Sequence, residues 1–269
     1  MSADTAAPAP ARPPRRGAYL LPSLFTIGNI YLGFLAIVLA LGGRFTRAGF
    51  CIVLAAVLDF LDGKIARMTH TESEFGREFD SLADVLTFGM APALCAWAWG
   101  LHELGRAGWL VPLFYVVATA TRLARFNVQT TRVDSRWFVG LPSPAAAGTI
   151  ASFLLVGATR DWRPWTNAAM ALGLVIIGLL MVSNFRYWSL KALDLRRRRS
   201  YRMALPLAGL IVLLAFWPEL IFPGLALAYA LSGPVMWLFG RFATPARVNP
   251  PAGATTDRPV ETPTGPEAP

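Results

Sequence analysis

The chain has 269 residues, of which 55% are hydrophobic and only 15% charged. A mean hydropathy of +0.47 argues against a soluble enzyme or binding module, which would be more polar at this length. The formal net charge of +9 does not point to nucleic acid, because the basic residues fall in short loops between apolar runs and no zinc-finger, RNA-binding or basic-zipper signature is present.

Residues 1–17 are rich in Ala and Pro and are expected to form a disordered arm. Arg15 and Arg16 then precede a full-length apolar run, which reads as a span and not as a secretory signal. Eight apolar segments follow, at 20–41, 48–66, 80–101, 109–125, 142–158, 166–185, 203–217 and 220–239. Several reach or approach the roughly 20 residues needed to cross a bilayer. Helices are expected throughout, since open strands leave their backbone unpaired in lipid. The expectation is an all-α integral membrane protein of about eight transmembrane helices, with one transmembrane domain over residues 18–242. A second disordered tail is expected at 243–269.

An even number of spans puts both termini on one side. With the N-terminus inside, 20 of the 25 basic residues lie in inner segments. The outer loops keep only Arg44, Arg47, Arg106, Arg160 and Arg163. By the positive-inside rule both termini are expected in the cytoplasm. The run Arg196–Arg199 reads as a topology and anionic-lipid signal. Trp97, Trp99, Trp109, Trp162 and Trp165 are expected as anchors near the outer boundary. Cys51 and Cys95 fall in separate apolar runs and read as small packing residues.

Against this background the stretch VLDFLDGKIARMTHTESEFGREFDSLADVLTFG is anomalous, because carboxylates are costly near a bilayer core. Asp59 and Asp62 are one turn apart on one helix, and Asp80 and Asp84 one turn apart on the next. A short connection sets the two faces opposite each other, near the expected cytoplasmic interface. Four converging carboxylates repel unless bound cations neutralise them. Oxygen donors suit hard ions such as Mg²⁺ or Mn²⁺, and two divalent ions balance four carboxylates. Paired metals are a recurrent solution for displacement at phosphorus. Gly63, Ala66 and Gly76 leave room for a bulky group near the backbone, and Arg67 offers a planar fork for phosphate.

The same window fits D-x2-D-G-x2-A-R-x8-G-x3-D-x3-D through Asp59, Asp62, Gly63, Ala66, Arg67, Gly76, Asp80 and Asp84. This resembles the signature of the CDP-alcohol phosphatidyltransferase family, whose members displace CMP from a CDP-linked donor with an alcohol. The resemblance implies that Asp59, Asp62, Asp80 and Asp84 bind two divalent cations, Mg²⁺ or Mn²⁺. It implies Asp84 as the general base, and Asp62, Gly63, Ala66, Arg67 and Gly76 as the CDP-binding residues. The stretches LFTIGNIYLGFLAI, FDSLADVLTFGMAPA, RLARFNV, GLPSPAAAG and MVSNFRYWSLK are similar to the membrane-embedded branch that uses L-serine. That likeness implies CDP-diacylglycerol and L-serine as substrates, phosphatidylserine and CMP as products, and a homodimer; the distribution of Lys and Arg puts the site at the cytoplasmic face of the cell membrane. The first span has Pro22-Ser23 where many members carry Pro-Asn.

The acceptor's carboxylate and the donor's phosphates need cations. Arg122, Arg125 and Arg186 are the candidates, each also readable as a positive-inside anchor, with Asn127 just beyond Arg125 as a further polar candidate. Asn29 is open between polar glue and a ligand contact. Two alternatives stand beside serine transfer. One is the same chemistry on glycerol phosphate, inositol phosphate or choline, and the other is a cation or proton transporter using the carboxylates as its ion site.

Overall fold

The computed structural model describes residues 20–69, 74–129, 137–157, 164–188 and 216–242. The expected arm and tail, nearly all of the segment expected at 203–217, and the Arg196–Arg199 run lie outside the described residues. The elements are α1 (Leu20–Leu41), α2 (Phe45–Thr69), α3 (Glu74–Asp84), a π-helix (Val85–Met90), α4 (Ala91–Trp99), a 3₁₀ turn (Leu101–Leu104) and α5 (Arg106–Gln129). Then come β1 (Trp137–Val139), α6 (Ser143–Gly157), α7 (Pro164–Val182), β2 (Arg186–Trp188) and α8 (Pro218–Phe242).

Among the described residues five helical stretches are long and apolar enough to cross a membrane: 24–41, 74–99, 106–128, 165–182 and 221–238. The protein is a multi-pass membrane protein. Helix α2 has sufficient length but carries Arg47, Asp59, Asp62, Lys64 and Arg67. Helix α6 is apolar but short.

Helix α1 shows how the bundle is written in sequence. Leu24, Ile27, Tyr31, Phe34, Val38 and Leu41 recur every three or four residues and are all exposed, forming an apolar stripe that suits lipid. The opposite face buries Leu32, Ala36 and Ala40 and packs mainly on α2. Small residues recur at the helix contacts, including Ala48, Ala55, Ala93, Ala96, Ala147 and Ala151. They allow the close backbone approach on which association in lipid depends. Beyond the α1–α2 pair, α2 packs on α6, α6 on α8, and α5 on α7. The composite rod α3–π–α4 runs between α1 and α5.

Three features depart from the sequence expectation. The third rod begins at Glu74 instead of residue 80, and a π-helix interrupts it. The extra residue per turn leaves backbone carbonyls to be satisfied from outside: the Tyr115 hydroxyl donates to Phe88 O at 2.9 Å. The all-α expectation omitted a small antiparallel ribbon, in which Phe138 pairs with Tyr187 and Val139 with Arg186. It joins the chain after α5 to the chain after α7. Gly140 follows β1 with φ of 80°; a Cβ there would collide with the Met181 carbonyl, so glycine is needed for the turn into α6. Finally, Trp99 is not a boundary anchor, since only 6% of it is exposed. Trp97, Trp109 and Trp165 do face outward, and Trp162 lies outside the described residues.

Candidate active site

Asp59 and Asp62 project from the C-terminal half of α2, and Asp80 and Asp84 from α3. One carboxylate oxygen from each of Asp59, Asp80 and Asp84 lies within 4.8 Å of the other two. Asp62 stands beside this trio. It lies within electrostatic reach of Asp80 and Asp84, and its Oδ2 accepts a hydrogen bond from Thr26 Oγ1 of α1 at 2.9 Å. The expected convergence of two helix faces is therefore observed, with Asp62 held by a different helix from the one its charge faces.

The free oxygens test whether these residues suit a cation. Asp62 Oδ1 and Asp84 Oδ1 are buried and have no hydrogen-bond partner among the described residues. Buried anionic oxygens without partners are expensive. Placed next to like charges they are more so. An all-oxygen donor set of this kind fits a hard divalent cation.

The π-helix begins immediately after Asp84. Thr87 Oγ1 donates to the Asn29 carbonyl at 3.2 Å. A Cβ on Gly33 would lie 2.9 Å from Thr87 Oγ1 and 3.0 Å from Thr87 Cα. Glycine thus lets α1 seat directly against the bulged turn. Asn29 itself is buried, and neither end of its side-chain amide has a partner among the described residues.

The basic candidates separate. Arg122 is buried on α5, donates from Nη1 to Ser143 Oγ at 2.8 Å, and lies within electrostatic reach of Asp84 and Asp59. It is thus joined to the carboxylate site. Arg125 donates to the Val182 carbonyl and the Asn184 side chain, tying α5 to the end of α7. Asn127 Nδ2 donates to Ser81 Oγ at 3.0 Å, linking α5 to α3. Arg186 lies in β2, but its side chain is outside the described residues. Of the CDP-binding candidates, Gly63 is exposed on α2 and Gly76 is half-buried on α3. Ala66 and Arg67 complete the last turns of α2, with side chains outside the described residues.

Sequence reasoning missed Thr26 and Ser143, which hold Asp62 and Arg122. Both lie in stretches already singled out, and both are hydroxyls inside otherwise apolar runs, which is the one signal that marks them. The π-helix has no such signal.

Fold and site together define a membrane-embedded helical protein with an acidic, oxygen-lined centre beside a buried arginine. The chain belongs to the CDP-alcohol phosphatidyltransferase family, whose sequence profile matches residues 19–182. It is similar to the CDP-diacylglycerol–serine O-phosphatidyltransferase of Helicobacter pylori strain 26695, at 37% identity over 82% of this chain and 92% of that protein. It is also similar to the enzyme of the same name from Bacillus subtilis, at 34% over 62% of this chain and 89% of the relative. An archaetidylserine synthase of Methanothermobacter thermautotrophicus is 35% identical over 62% of this chain and 69% of its own length.

Proposed function

We propose that the protein transfers the phosphatidyl group of CDP-diacylglycerol to the hydroxyl of L-serine, giving phosphatidylserine and CMP. The observation that carries this is the meeting of the Asp59, Asp80 and Asp84 carboxylates within 4.8 Å in a chain of this family. The choice of serine is supported by the names of the three relatives above, all of which contain it.

Asp59, Asp62, Asp80 and Asp84 would hold two divalent cations, Mg²⁺ or Mn²⁺. When bound, these supply positive charge that neutralises the carboxylates and the donor's diphosphate. Gly63, Ala66 and Gly76 give the cytidine diphosphate close access to the α2 and α3 backbones, and Arg67 offers its guanidinium to phosphate. Asp84, deepest of the α3 pair, takes the proton of the serine hydroxyl. The serine oxygen bonds to the lipid-side phosphorus, and the bond from that phosphorus to the CMP oxygen breaks. Arg122, buried beside Asp84, is the best placed of the basic residues to meet the serine carboxylate. Most of the catalysis comes from holding the reactants and their charges in place. Thr26 serves this by fixing Asp62, and Ser143 by fixing Arg122.

The finer topology belongs to the same proposal. It has eight spans, both termini in the cytoplasm and the carboxylate centre at the cytoplasmic interface, as the distribution of Lys and Arg supports. The assembly is a homodimer, as the resemblance implies.

The test uses purified full-length protein in lipid–detergent micelles with CDP-diacylglycerol and one labelled alcohol at a time. Serine is expected to enter the lipid with stoichiometric CMP release. CMP release only with glycerol phosphate, inositol phosphate or choline would contradict the serine assignment while keeping the reaction class. Metal-ion flux without any CMP release would overturn both.

A further inference from the structure

The family profile ends at residue 182, yet α8, which begins only at Pro218, packs against α6. Its seat is built by the ribbon. Tyr187 of β2 is completely buried, and its hydroxyl donates to the Ala230 carbonyl of α8 at 3.1 Å. Burial pushes the Tyr187 phenol up to about 12, so it remains a donor at any working pH. Gly233, one turn past Ala230, lies under the same ring: a Cβ there would come within 2.8 Å of both Tyr187 Cε atoms. The Tyr229 ring stands 5.7 Å from that of Tyr187, tilted by 39°. It is half-buried among core residues. The helix on which α8 packs begins at Ser143, the residue that receives Arg122. The Tyr229 hydroxyl is close enough to Arg122 for the two to interact electrostatically.

We infer that α8, although beyond the family match, forms a wall of the active site, and that Tyr229 is a positioning residue that sets the Arg122 guanidinium for the acceptor. Tyr187 and Gly233 are the docking pair that brings Tyr229 to this place. A phenol suits the task. It offers a polar contact to a buried guanidinium without adding another charge to a site already crowded with carboxylates, and its rigid ring costs little entropy to hold. Ser143 holds the Arg122 guanidinium at Nη1, and Tyr229 lies within electrostatic reach of the same group.

The inference rests on the proposed acceptor role of Arg122, which Arg122→Lys tests separately: an acceptor KM unchanged in that variant would remove the role of Arg122 itself, whereas a raised one with Tyr229→Phe at the wild-type value would remove only that of Tyr229. KM and kcat are measured for wild type, Tyr229→Phe and Gly233→Val, for the acceptor alcohol and for CDP-diacylglycerol. The acceptor is whichever alcohol the wild-type chain uses, so a wrong choice of serine would not obscure the comparison. Tyr229→Phe keeps the ring and its packing. It is expected to raise the acceptor KM about tenfold, as loss of a polar contact to a charged group does, with the donor KM unchanged. Gly233→Val displaces the helix and is expected to impair the acceptor KM at least as much. Should Gly233→Val fold poorly, Tyr187→Phe, which removes only the bond to Ala230, is expected to give a smaller rise in the same constant. An acceptor KM in Tyr229→Phe equal to wild type would overturn the inference. Equal loss of both substrates' affinities together with a lowered Tm would also overturn it, since that pattern marks a purely structural role.

Discussion

The two ends of the bundle handle polarity in opposite ways. At the end where α4 meets α5, His102 and Asn167 turn to the protein itself, with Asn167 Oδ1 alone of these polar atoms buried without a partner among the described residues. A His102 ring nitrogen lies 3.0 Å from the Trp97 carbonyl oxygen, and Asn167 Nδ2 donates to Glu103 at 2.9 Å. An apolar groove of about 400 Å³ opens there between α4 and α5, lined by Met90, Trp97, Trp109 and Pro112 among others. At the opposite end three carboxylates crowd together, and among the described residues two aspartate oxygens and the Nε of a buried arginine have no hydrogen-bond partner. A π-helix sits beside them. Such turns recur at functional positions because they re-aim side chains at a cost to backbone regularity. The first end is organised for stability in lipid. The second concentrates like charges of the kind a bound cation balances.

Perturbations of the two ends should therefore differ in kind. The largest effect is expected from Asp84→Asn. Removal of the proposed base should lower CMP release by about a thousandfold, while the donor still binds in an equilibrium assay with labelled CDP-diacylglycerol. Turnover close to wild type would remove Asp84 from that role. Thr26→Val deletes the bond to Asp62 and keeps the shape. A hydrogen bond to a charged group is worth about 1.5–3 kcal/mol, so Tm should fall, and kcat/KM should fall by about tenfold or more as Asp62 loses its hold.

Gly33→Leu acts through packing, because its Cβ would press on the Thr87 backbone beside the π-helix. Overpacking of this kind costs about 1–3 kcal/mol. Thermal unfolding in detergent should register a lower Tm, with activity falling as Asp84 shifts. At the other end Asn167→Leu removes the bond to an exposed Glu103. Its cost should stay within about 1 kcal/mol, visible only as a small change in Tm, with kcat/KM unaltered. A large loss of turnover from that substitution would erase the distinction between the ends.

Most of the architecture was legible because lipid simplifies the code. Apolar runs of fixed length mark the helices, and the described rods begin or end within a few residues of the expected positions, apart from the start of α3. That start was missed because Glu74–Ser81 is polar and amphipathic, so hydropathy alone does not extend the helix outward. The π-helix was not legible, because one inserted residue leaves the apolar pattern of VLTFGM unchanged. The aspartates were legible through their cost: charged residues in an apolar chain, paired at helical spacing, demand a reason. The residues that hold them were not. Thr26 and Ser143 are small hydroxyls whose partners lie 36 and 21 positions away, and only the tertiary fold brings them together. Tyr229 was hidden for the same reason, inside a helix whose sequence is distinctive only for being apolar.

The most direct test of the account is a titration of the full-length protein with Mn²⁺, followed by electron paramagnetic resonance, in wild type and in Asp59→Asn and Asp84→Asn. CMP release is assayed in parallel with and without EDTA. The account predicts saturable binding of up to two ions per chain, weakened in both variants, and turnover that EDTA abolishes and added Mg²⁺ or Mn²⁺ restores. Equal Mn²⁺ binding in all three proteins, or turnover indifferent to EDTA, would contradict the assignment of these carboxylates as the metal centre.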